Sequence, residues 1–305
     1  VRAFVDGLRA AAVVARFDLE ESLRSRRVLV LLLLYAAGAT GAAWIFTELL
    51  QSLEEELAAA LLVARTDTPG SLTEALMESP EVRRIVTRWV RDPELAASLL
   101  RQPPIALLYF WFALTFAPAF VVLTASETIS AEIASGSVRF ALFRTDRGSW
   151  ALGKLLGQAA LLGVGLLLGA VGAYAVGALR LATFAPGPTA VHLLRYAATG
   201  FVHAFAFLGL ALGVSQVTRS VPKARALGLG LYVAILVLDA TLASRRVTEH
   251  VPVLAGTLRD LFPGPHRMEL WRPELGAVLP ATAMLLGLGL VLFAAGHARF
   301  LRTDA

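Results

Sequence analysis

Two short runs in the sequence have the residue types of a phosphate-handling site. GSWALGKL, residues 148–155, follows the pattern G-x-x-x-x-G-K-[ST] through Lys154. YVAILVLD, residues 232–239, ends in Asp239 much as a Mg²⁺-holding strand would. In such a loop the backbone N–H groups cradle phosphates, the Lys reaches them, and a Ser or Thr hydroxyl holds Mg²⁺. Here Leu155 stands at the hydroxyl position and cannot ligate a metal. The segment that follows is a long uncharged apolar run, and YVAILVLD is the body of another. No remaining segment is long enough to form a separate nucleotide-binding domain. Intrinsic nucleotide hydrolysis is therefore excluded as a reading. Lys154 reads instead as a cation at a membrane boundary, its stem along apolar surface and its ammonium reaching the headgroups.

Other constellations are sparse. The chain has no Cys, which removes disulfides and thiolate metal sites. Its five His residues, at 192, 203, 250, 266 and 297, form no HxxxH or HExxH pattern. EESLR, residues 20–24, resembles the di-Glu motif of glutamate-type CAAX-processing proteases, but its Arg comes one residue early and it precedes the first long apolar run. An intramembrane enzyme stays open as an alternative on that ground, and so does a non-transporting membrane scaffold. Two ionisable residues fall inside apolar runs. Asp239 either lines a substrate path, takes a proton, or lies near the outer interface and reaches water. His203 is either a substrate contact or a satisfied core histidine. Glu127 and Glu132 are five apart on different helical faces and do not form an acid–base pair.

The elements that must position these residues are membrane spans. With 57% hydrophobic residues among 305 and a mean hydropathy of +0.67, the composition is that of an integral membrane protein. The net charge of +5 fits Arg-rich loops beside anionic lipid, and no nucleic-acid partner is implied. A bilayer core takes about 20 apolar residues as helix. Six runs qualify: 28–47, 105–126, 155–179, 196–218, 226–244 and 275–298. The predicted class is an all-α polytopic membrane protein. An even number of spans places both termini on one side. The Lys and Arg count barely separates the two sides, but the short connection RSVPKAR, residues 219–225, is basic and free of acids, so both termini are assigned to the cytoplasm.

Outside the spans, residues 1–27 read as an amphipathic interfacial helix, with Phe4, Leu8, Val13, Phe17 and Leu23 toward lipid. Its acids and arginines are not those of a cleavable signal peptide. The remainder, 28–305, is one six-span domain. Residues 48–104 form a helical extracytoplasmic insert: SLTE at 71–74 is a capping box, and Ser79 and Asp92 each precede a Pro as helix caps. The insert would cap a cavity, bind a partner or brace the outer mouth. Residues 245–274, with four Pro, suit an outer loop carrying a short or re-entrant helix. GLLLG at 165–169 and GLALG at 209–213 permit close helix packing, within the bundle or across a dimer.

Read with its upstream context, the opening run fits another pattern. Residues 129–158, ISAEIASGSVRFALFRTDRGSWALGKLLGQ, resemble the first cytoplasmic loop of type-2 ABC exporter permeases. Glu132, Gly136, Ser137, Val138, Leu142, Arg147, Gly153 and Lys154 fall on that family's positions. Arg144 stands where the family usually has Pro, and Asp146 where it often has Ser or Thr, which bears on the local turn. The resemblance extends to the six spans, the N-terminal helix and the Pro-rich last outer loop. The long insert is similar to that of permeases serving nitrous-oxide-reductase maturation.

This resemblance implies a permease subunit without its own motor, in the bacterial inner membrane. It implies a separate ABC ATPase that binds ATP and Mg²⁺, with no cofactor on this chain, and a homodimer or a pair with a similar permease. The loop 127–154 would fold into a coupling helix docking on the ATPase through Glu132, Gly136, Arg139, Phe140, Phe143, Arg144, Arg147 and Lys154. Arg219, Lys223 and Arg225 form a smaller second contact or are plain membrane anchors.

Overall fold

The computed structural model describes residues 2–61, 79–90, 92–244, 252–272 and 274–302. Among these there are helices and no strands. In chain order they are α1 (Arg2–Arg24), α2 (Arg26–Leu61), α3 (Pro80–Val90), α4 (Pro93–Leu100), α5 (Pro104–Ala125), α6 (Thr128–Ser135), α7 (Val138–Leu142), α8 (Arg147–Arg180), α9 (Pro186–Val217), α10 (Val221–Leu242), α11 (Pro252–Arg259), α12 (Pro263–Glu269) and α13 (Leu275–Leu301). Six are long and apolar enough to cross a membrane: α2, α5, α8, α9, α10 and α13. All six predicted runs are found, and the chain is an all-α polytopic membrane protein.

The helices overrun the apolar runs. At about 1.5 Å per residue, α2 is roughly 54 Å long, well beyond a hydrocarbon core of about 30 Å. It therefore carries the chain into the insert as continuous helix, past Glu48 and Glu54. At the other membrane face, residues 147–154, expected in the coupling loop, are the first two turns of α8. A helix does not stop where its residues become charged; it stops at caps and breakers. Asp146 caps α8, accepting a 2.8 Å hydrogen bond from Ser149 N. Pro186 starts α9 ten residues ahead of the apolar run. RSVPKAR, expected as a connection, is helical from Val221 onward.

Two spans form the centre. The apolar windows of α5 and α9 are each 67% buried within the chain, against 6% for α10. Phe110 of α5 stacks on Tyr196 of α9 with ring centroids 4.1 Å apart, and the Tyr109 hydroxyl donates to Leu166 O of α8 at 2.6 Å. The tightest approach joins α9 to α13: a Cβ on Gly209 would lie 1.9 Å from Gly289 O, and one on Gly296 2.3 Å from Gly213 O. GLALG thus packs backbone on backbone inside one chain. Gly165 and Gly169 face Phe120 and Ala39 in the same interior.

The insert lies against the side opposite the termini. Ser79 Oγ accepts from Val82 N at 3.2 Å, and Asp92 Oδ1 accepts from Glu94 N and Leu95 N, as its two Ser/Asp-Pro pairs predict. SLTE lies outside the described residues. Asp92 pairs with Arg272 at 2.8 Å, and Arg195 of α9 donates to Arg272 O at 3.0 Å. These bonds brace the insert on the last far-side loop, which holds two short helices, α11 and α12.

Candidate functional site

The connection between α5 and α8 is built on buried anchors. Ile129 is fully buried, and Ser215 of α9 accepts from both Ile129 N and Ser130 N at 3.0 Å, capping α6 from another element. Gly136 then turns the chain with φ 75°, the left-handed conformation that L side chains resist. Val138, 1% exposed, pins α7 from below. What remains points outward: Phe140 is 75% and Phe143 84% exposed, with Arg139 and Arg144 exposed beside them. Leaving a Phe in water forfeits about 1.5–3 kcal/mol, so paired exposed phenyls on a rigidly held helix mark a contact surface.

Behind this surface runs a groove of about 850 Å³. Val13 and Phe17 of α1 and Phe140 and Phe143 line it, with Trp150, Glu132 and Lys154. Val13, Phe17 and Leu8 are exposed as the amphipathic reading expected. Leu23 instead packs against the core, and the Phe4 side chain lies outside the described residues. The opposite face of α1 packs on α8 through Gly153 and Gly157, where an added Cβ would strike Val14 and Asp18.

Lys154 does not reach outward to headgroups. It is 4% exposed, bonds Asp18 Oδ1 at 2.7 Å and pairs with Glu132. Gln158 Nε2 donates to Asp18 Oδ2 at 2.8 Å and to Ser22 Oγ at 3.1 Å. An enclosed ammonium needs such partners, because its desolvation costs several kcal/mol. Glu132, expected on the docking surface, spends its carboxylate on this lysine. Arg147, expected there too, turns to the other end of the chain: its Nη1 donates to Phe300 O and Leu301 O at 3.4 and 3.3 Å, and its guanidinium lies over the Phe300 ring. That position at the C-terminus of α13 suits a cation. Arg225 pairs with Glu127, which also pairs with Arg27 at the start of α2. Lys223 and Arg219 lie exposed at the same membrane face.

Asp18, Gln158, Ser22 and Ser215 were missed in the sequence. Asp18 with Ser22, and Lys154 with Gln158, are i,i+4 pairs on facing helices, and that matched spacing was the available signal. At the far side, His203 and Asp239 line one cavity of about 540 Å³, together with Arg259 and Arg267. Asp239 sits near the end of α10 and bonds Arg259 Nε at 3.3 Å. Glu20 of EESLR pairs with Arg16 on the exposed face of α1.

A profile of the ABC-2 family transporter proteins matches residues 12–305. The chain belongs to the ABC-2 transporter family. It is a permease, a component of membrane transport. The match covers ABC-2 transporters as a group and does not reach the nitrous-oxide-reductase maturation permeases. A search of curated proteins gave no match.

Proposed function

We propose that this ABC-2 permease is the transmembrane subunit of an exporter driven by a separate ATPase, docked on the connection between α5 and α8. The observation that carries the reading is the exposed Phe140–Phe143 pair, flanked by Arg139 and Arg144 and held from behind by Val138 and Ser215. Aromatic and arginine side chains on a rigid element are the usual anchors of a protein interface. ATP and Mg²⁺ belong to the partner. The membrane is the bacterial cytoplasmic membrane, with both termini and this surface on the cytoplasmic side. Glu132, Lys154 and Arg147 act behind the surface as struts that pass its movement to α1, α8 and α13. Arg225 does the same through Glu127, and Lys223 adds a rim charge.

The exposed α10 supports a second permease copy, or a similar permease, across its face. Leu227, Leu231, Val237 and Leu238 are 42–58% exposed on a span with few neighbours in its own chain. The test is co-expression with the ATPase encoded beside the chain and capture in mild detergent. A one-to-one complex that is lost in F140A/F143A supports the docking assignment. A folded chain that captures no ATPase, or a complex indifferent to both substitutions, sinks it.

A further inference from the structure

The cavity at the far side is amphipathic from top to bottom. It follows α10 from its C-cap Ala243 down to Tyr232, eleven residue steps or about 16 Å of rise. Arg259, Arg267 and Asp239 stand near its mouth, on or beside the helix ends. Below them Leu114, Pro118, Phe207, Ile235 and Leu236 form apolar walls. The charges do not cancel. Asp239 is bonded to Arg259 at 3.3 Å and is pressed against α12, where a Cβ on Gly264 would meet its Oδ2 at 2.0 Å. Arg267 makes no hydrogen bond or ion pair among the described residues. Burial pushes its pKa down, with only partial relief from Asp239. His203 is 4% exposed, and its Nδ1 has no hydrogen-bond partner among the described residues. Buried polar groups in folded proteins nearly always have partners. A buried imidazole nitrogen left without one, with the half-buried Arg267 cation lining the same greasy-walled cavity, points to a missing ligand.

We propose that this cavity binds an amphiphile with one anionic headgroup. Arg267 supplies the counter-charge and His203 a hydrogen bond, while Phe207, Ile235 and Leu236 enclose the upper part of the tail. Arg259 is already neutralised by Asp239, so the site has room for a single negative charge. Asp239 acts as a positioning residue: it holds Arg259 and keeps α12, and with it Arg267, over the cavity. The inference deepens the permease reading by naming the class of molecule carried. It rests on that reading only for the claim that the molecule is cargo.

The test is equilibrium binding of radiolabelled dodecyl phosphate to the full chain in neutral maltoside detergent at about pH 5, where a phosphate monoester carries a single negative charge, with no ATPase present. One saturable site per chain is expected. R267Q should weaken it at least tenfold, R267K should retain most of it, and H203F should weaken it several-fold. Dodecyl phosphocholine, whose headgroup carries no net charge, should compete at least tenfold less well. Inorganic phosphate in hundredfold excess should not displace the probe. I235W keeps the cation and fills the tail space; it should also cost tenfold, and it serves if R267Q does not fold. Binding unchanged in both R267Q and I235W would place the probe in the micelle or elsewhere and overturn the site. Displacement by inorganic phosphate would reduce it to a plain anion site and overturn the amphiphile. Because no ATPase takes part, failure of the motor-docking assignment leaves this result untouched, and the reverse holds as well.

Discussion

Glu127 and Glu132 leave the same connection five residues apart and grip different parts of the bundle. Glu127 pairs with Arg27 of α2 and Arg225 of α10. Glu132 pairs with Lys154 of α8, which is held in turn by Asp18 of α1. One short segment is thus tied by charge to four helices. A push on α7 cannot move α6 alone, because both glutamates would drag their cations with them. Arg27 adds a 2.8 Å bond to Leu123 O at the end of α5, closing the ring at that membrane face.

The Lys154–Asp18 pair is the most enclosed part of this ring, at 5% and 3% side-chain exposure. K154M leaves Asp18 buried with its charge uncompensated, and breaking a buried pair from one side costs about 3–5 kcal/mol. Lys154 also pairs with Glu132, so the triple variant D18N/E132Q/K154M, which removes all three charges, should recover most of that loss, since buried ion pairs contribute little net stability against neutral residues of similar volume. Unfolding in detergent, by temperature or denaturant, is the readout. A triple variant no better than K154M would show that the cluster matters through something other than charge.

How much of this was legible in the sequence depends on which force sets each feature. The six spans were, because twenty uncharged residues have few other places to go. The caps at Ser79, Asp92 and Asp146 depend on local chemistry; the first two were read, and Asp146 was passed over as a family departure. The helix ends were not legible from hydropathy: α8 runs back to its cap at Asp146, and its charged first turns are accommodated by partners of Lys154 and Arg147 in α1 and α13, far away in sequence. The same long-range partners misled the reading of the site. Glu132, Arg147 and Lys154 carry the charge expected of a docking loop, yet each is turned inward by a residue 136 or more positions away or by Lys154 itself. Phe140, Phe143, Arg139 and Arg144 were read as surface and are exposed.

Gly209 and Gly289 meet backbone to backbone, so G209A has no side chain to push aside. The new methyl would fall 1.9 Å from a carbonyl oxygen, and α9 and α13 must separate to admit it. Overpacking of this kind costs about 1–3 kcal/mol or more. G287A, on α13 with nothing within 4 Å of the added carbon, is the matched control and should be neutral. A drop in thermal midpoint for G209A and none for G287A is the expected result; equal behaviour would mean that the two helices are not this close.

Asp146 gives the α8 start a pH dependence. Hydrogen bonds from the Ser149 hydroxyl, and then from its backbone N–H, hold the Asp146 pKa below the ordinary aspartate value of 3.8. A depressed carboxylate pKa contributes stability that is fully present above the unfolded-state value and is lost as pH falls through the folded one. The window therefore lies below about pH 4. D146A should lower stability at pH 7 by about 1 kcal/mol, as loss of a helix cap does. The gap between variant and parent should shrink as the pH is taken below that window. A gap that stays constant with pH would assign the effect to packing rather than to the ionised cap.

The ring of charges and the exposed phenyls separate two kinds of failure. Phe140 and Phe143 meet the partner in the proposed complex, so replacing both with Ala should abolish capture of the ATPase. Glu127 touches only this chain. E127Q removes the charge that joins Arg27 to Arg225 but leaves the docking face unchanged, and as a partly exposed network it should shift stability by about 1 kcal/mol or less. The complex should therefore still form and still hydrolyse ATP. What E127Q should lose is the link from docked ATPase to α2 and α10, so that hydrolysis continues while transport in reconstituted vesicles falls severalfold. Measuring both rates on the same preparation decides the matter. If E127Q transports normally, force reaches the spans by the Glu132–Lys154 route alone, and K154M combined with D18N should then show the uncoupling instead.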